Sequence, residues 1–112
     1  MSRGHQDMPS QLRIGAVVYR VIHEEGYLEG SNNFGQTRRL NSTINVSRAY
    51  GIERQRETFF HELLHAVSNE TLSRSSDLKE QHVYAISGTL LRTMLDHPEM
   101  VAFVTGHRVS PH

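Results

Sequence analysis

TFFHELLHAV, residues Thr58 to Val67, is the stretch on which the reading of this chain turns. Placed on a helix at about 100° per residue with His61 at 0°, Phe59, Phe60, Leu63, Leu64 and Val67 fall between about 160° and 300°. That is one apolar arc of the width a core-facing helix needs. His61 and His65 fall at about 0° and 40°, so they face a polar cleft or solvent and not the helix's own core stripe. Imidazoles at i and i+4 stack on one face at a separation that chelates a tetrahedral Zn²⁺. Glu62 projects about 100° round from His61, beside the open position of such an ion. There a carboxylate can take a proton from water and deliver it to a leaving amine.

Working outward, the helical pattern covers Ile52 to about Asn69 and is broken at Ser73-Arg74-Ser75-Ser76. Asp77 is a natural N-cap for a second helix running to about Asp96, with Val83, Ile86, Leu90 and Met94 as its buried stripe. His97-Pro98 ends it, and Pro98 opens a short third helix through Phe103. Upstream the signal is β. Ile14 to Ile22 is rich in Val and Ile and reads as a strand, bent near Gly15 and stopped at Glu25-Gly26. Residues 26–33 read as loop, Phe34-Gly35 starts a second strand, and Asn41-Ser42 is the turn into Thr43 to Ser47. In that last strand Ile44 and Val46 alternate with Thr43, Asn45 and Ser47.

The chain has 112 residues, one domain's worth, with residues 1–11 as a flexible lead-in, 12–105 as the folded domain and 106–112 as a tail. Twelve basic and twelve acidic residues leave zero formal charge, which disfavours a nucleic-acid or polybasic membrane binder. All the basic residues but Lys79 are arginine, with pairs at Arg38/Arg39 and Arg54/Arg56, so nucleic-acid binding stays the minor alternative. With no cysteine, any metal must be held by His, Asp or Glu. No apolar run approaches a membrane span or a signal peptide, so a cytoplasmic protein is expected.

Two histidines leave a catalytic zinc one ligand short. Glu80 is the candidate: it flanks the stripe of the second helix and points at whatever that stripe packs on. The short connection makes that neighbour the His61/His65 helix, antiparallel. Asp77-x-x-Glu80 is equally a capping box, and His82 is a possible substitute ligand.

These residues resemble a family. Thr58 to Val67, followed by Glu80-x-x-Val83-x-x-Ile86-Ser87, resembles the small gluzincin-type zinc metallopeptidases, the minigluzincins and the ImmA/IrrE-like peptidases of phages and prophages. Ile14-Gly15, Phe34-Gly35 and the strand before the active helix resemble their upstream parts. The resemblance implies an α+β fold, a small twisted antiparallel sheet packed on an active-site helix and a glutamate helix. It implies one Zn²⁺ held by His61, His65 and Glu80, with Glu62 as general base. It also implies that Thr43, Ile44, Asn45, Val46 and Ser47 form an edge strand pairing with an extended polypeptide substrate. Larger gluzincins often carry an Asp four residues after the glutamate ligand. Here that place holds Tyr84, which either packs or donates to the oxyanion of the tetrahedral intermediate. The expected function is a zinc-dependent metallo-endopeptidase; the alternative is a zinc-stabilised, catalytically silent regulatory module. The tail, with His107 and His112, is a candidate for filling the ion's open position.

Overall fold

The structure is a computed structural model and describes residues 8–26, 34–71 and 79–107. The expected first strand is a hairpin. Strand β1 (Gln11–Ile14) turns through Gly15 and Ala16 into β2 (Val17–Glu24), with Ile14 paired to Val17. Gly15 has φ +62°, the left-handed conformation that a two-residue hairpin turn requires at its first position. Among the described residues the first strand thus takes in Gln11, the last residue of the expected lead-in, and Met8 also packs against the core.

A second hairpin joins β3 (Gly35–Arg38) to β4 (Thr43–Ser47), and Ser42 in its turn takes φ +52°. The sheet order is β1-β2-β4-β3, with β2 and β4 parallel and the other two pairs antiparallel. The sheet is thus mixed, not antiparallel throughout. The reason lies in composition: Ile44 and Val46 draw β4 to the deeply buried centre, while polar Gly35-Gln36-Thr37-Arg38 takes the outer place. Docking the second hairpin by its second strand sets β4 parallel to β2.

Helix α1 (Ile52–Thr71) lies across the sheet. Ile14, Tyr19, Val21, Ile44, Val46 and Ala66 form the buried core, with Phe59 and Leu63 packed against it. Tyr19 is fully buried, and its hydroxyl donates to Glu70 Oε2 at 2.8 Å, tying the sheet to the last turns of α1. Burial, reinforced by that carboxylate, pushes the phenol above its ordinary pKa. Nearby, Arg39 Nη2 donates to the Asn69 carbonyl at 2.7 Å.

Helix α2 (Glu80–Asp96) packs chiefly on α1, and α3 (Pro98–Thr105) packs on α2. The sheet therefore rests on α1, with α2 on the flank of that helix and not in a shared layer under the strands. The N-cap of α2 is Lys79, with no side-chain cap. Asp77, the expected cap, lies outside the described residues, as do the break at Ser73–Ser76 and the tail beyond His107. Among the described residues no helix is long and apolar enough to cross a membrane.

Candidate metal centre

Helix α1 turns a different arc inward than its apolar pattern implied. Its buried residues are Thr58, His61, Glu62, Ala66 and Ser68, whereas Val67 is 39% exposed. The sheet takes Glu62, Ala66 and the partly buried Phe59 and Leu63. The His61 side faces α2 and the cleft between the two helices, and His61 itself is buried. Helix α2 is rolled correspondingly. Val83 and Ser87 are buried on the line that starts at Glu80, while Ile86 and Leu90, expected in the stripe, turn outward.

This packing brings the two helices' polar residues together. His61 Nε2 lies 3.0 Å from Glu80 Oε2, and His65 Nε2 lies 2.8 Å from Glu80 Oε1. The imidazole rings sit edge to face, 5.0 Å between centroids. One ligand atom from each of the three residues falls within 4.8 Å of the other two. Three donors so close, two imidazole nitrogens and a carboxylate oxygen, match the donor set of a catalytic zinc site with one position left open. The residues fit the ion. Glu80 therefore points at the imidazoles and not back onto its own helix start. His82 is exposed on α2 and takes no part in the cluster.

Glu62, next to His61 in sequence, meets the sheet while lining the same cleft as His65 and Glu80. Thr37 Oγ1 donates to Glu62 Oε1 at 2.6 Å and lies 2.9 Å from the Glu62 carbonyl oxygen. Glu62 is only 3% exposed, and burial holds its carboxyl above the ordinary range. The Thr37 hydrogen bond and the positive field of His61 pull in the opposite direction, while Glu80 adds to the rise. Gly35, two residues before Thr37 on the same face, sits tight on α1. A Cβ there would stand 2.6 Å from Thr58 Cγ2, 2.7 Å from the Asn45 carbonyl and 3.2 Å from Glu62 Cγ.

Two clefts flank the cluster. The larger, about 670 Å³, runs between the first half of α1 and α2 past Tyr50, Thr58, His61, Tyr84 and Leu91. The smaller, about 300 Å³, lies between β3 and the Glu62/His65 side of α1. Glu80 borders both. Tyr84 stands at the larger cleft with its ring 5.5 Å from that of His61 and is 65% exposed.

One expectation fails outright. Strand β4, Thr43 to Ser47, is paired on both edges, with β2 and β3, and all five residues are buried, so it has no edge to offer a substrate. Among the described residues the strand beside the site is β3. Of the arginine pairs, Arg39 is spent on Asn69, Arg38 on Gln36, and Arg54 on Glu57 and the Phe34 ring. What sequence reasoning missed was Thr37 and the close approach made by Gly35, which it placed only at the start of a strand. The one available signal was the glycine itself, since a glycine within a strand marks a close backbone approach.

Comparison with known proteins finds no significant match: no protein family, no curated protein and no solved structure.

Proposed function

We propose that the chain is a zinc-dependent metallo-endopeptidase of gluzincin type, with His61, His65 and Glu80 as the ligands and Glu62 as the general base. The observation that carries the reading is the convergence of a His/His/Glu donor set from two helices, with a buried carboxylate held one residue away. When bound, zinc supplies Lewis acidity, polarising the scissile carbonyl and acidifying water. Glu62 accepts the proton of the attacking water and returns it to the leaving nitrogen; its raised pKa suits a group that must both take and give a proton. Tyr84, exposed beside His61, would donate its hydroxyl to the developing oxyanion. The clefts on both sides of Glu80 favour a polypeptide that continues in both directions, hence internal bonds over chain ends.

The test is a metal analysis of the purified protein combined with incubation on an unfolded protein. About one zinc per chain, with cleavage abolished by a chelator and restored by zinc, is the expected result. A zinc-loaded chain that leaves every unfolded substrate intact would overturn it.

A further inference from the structure

We propose that Thr37 is the positioning residue for Glu62, a role that rests on the hydrolytic reading above. The short strand β3 contributes it, 25 positions from its partner in sequence. A buried carboxylate is costly unless hydrogen-bonded, and at 2.6 Å the Thr37 hydroxyl makes a short, charge-assisted bond to Glu62 Oε1. Thr37 Oγ1 also lies 2.9 Å from the Glu62 main-chain carbonyl oxygen, so one side chain touches both ends of this residue and fixes its rotamer against the helix. A hydroxyl both donates and accepts, so the contact survives whether Glu62 is carrying the proton or has given it up.

Thr37 is itself placed by Gly35. Residues i and i+2 of a strand share a face, and the missing Cβ at Gly35 lets β3 descend onto Thr58 and Glu62 close enough for the hydroxyl to reach. The geometry is thus built by the sheet, whereas the three metal-ligating side chains belong to the helices. This division lets the base be aimed without drawing on the residues that hold the ion.

The experiment compares Thr37→Val and Thr37→Ser in the full zinc-loaded chain. Valine keeps the shape and removes the hydroxyl; serine keeps the hydroxyl. Thr37→Val is expected to lower kcat by about 10- to 100-fold, the range typical of partners that orient metal ligands, with KM and zinc content close to those of the parent and Tm lowered by the lost buried hydrogen bond. Thr37→Ser is expected to recover most of that loss, which a purely structural role would not require. Parent-like turnover in Thr37→Val would overturn the proposal. Crystal structures of the zinc-loaded parent and Thr37→Val give a readout that needs no activity. The parent should hold Glu62 in one rotamer turned to Thr37, and the valine variant should show it displaced or spread. If the parent cleaves nothing, the hydrolytic reading fails, while an unchanged Glu62 rotamer in the valine variant separately refutes the positioning role.

Discussion

Helices α1 and α2 both contribute to the His61/His65/Glu80 cluster, but they are held in place very differently. Helix α1 is packed on the sheet along one face and on α2 along another, with five buried residues and further ties through Tyr19 to Glu70 and Arg39 to Asn69. Helix α2 buries only Val83 and Ser87, starts without a side-chain cap, and leaves Ile86, Leu90 and Leu95 in solvent. Its outer neighbour α3 buries nothing, and its Phe103 is 86% exposed. The proposed site thus joins a firmly seated helix to a lightly seated one, and the junction is the Glu80 carboxylate. An ion bound there would act as a cross-link as well as a reagent.

That contrast can be broken first at the chemistry. Glu62→Gln sits on the firm side and keeps shape and hydrogen-bonding capacity, so turnover should fall by about 10² to 10⁴ while zinc content stays at the parent level. Peptide assays with metal analysis check it, and a Gln variant as fast as the parent would remove Glu62 from the reaction.

Zinc binding should next reveal the weak side. At free zinc about 100-fold above Kd the native state gains about 2.7 kcal/mol. The accompanying gain in amide-exchange protection should be concentrated in residues 80–96, not in α1. Glu80→Ala should abolish both gains. Uniform protection across the chain would mean that the two helices are equally well seated.

Within α2 the packing contrast is directly measurable. Val83→Ala, at a fully buried position, should cost about 1 to 3 kcal/mol in denaturant unfolding, whereas Ile86→Ala, 45% exposed, should stay within about 0.5 kcal/mol. Equal costs would show that α2 is rolled the other way.

The smallest expected effect is electrostatic. Burial raises the Glu62 pKa above its ordinary value of 4.5. Above the ordinary value the native chain keeps a proton that the unfolded chain has lost, so stability falls as pH rises through that window. Metal-free Glu62→Gln should therefore melt above the metal-free parent at neutral pH, with the gap closing below pH 4.5. Thermal melts of chelated protein across that range decide it.

The parts of this molecule that could be read from sequence are those whose signal is local. The His61/His65 spacing, the helix from Ile52, the break at Pro98 and the alternation of Ile44 with Val46 depend only on residues within a few positions of one another. Glu80 was reachable because a short connection limits where the next helix can pack, and it lies against the imidazoles. At Gly15 the sequence predicts a bend and the chain makes a turn, because a two-residue hairpin and a kinked strand share the same glycine signal. The roll of α1 and α2 was not legible. Apolar periodicity treats Val67, Ile86 and Leu90 as core, but the helices are oriented by the polar residues they bury, His61, Glu62 and Ser87. The strand order was hidden for a related reason: which edge of a hairpin docks is decided by tertiary burial, and that put β4 inside and β3 beside the site.

Gly35 carries a consequence for how this domain can vary over generations. Because an added methyl would strike the backbone of β4 and the Thr58 side chain together, nothing flexible can simply move aside. Any replacement would lift β3 from the helix and carry Thr37 away from Glu62, so one nucleotide change would degrade strand packing and the aim of the proposed base at once. Selection for folding and selection for activity would then act on a single codon. Libraries randomised elsewhere in β3 should yield variants in which the two properties separate; at position 35 they should be lost together.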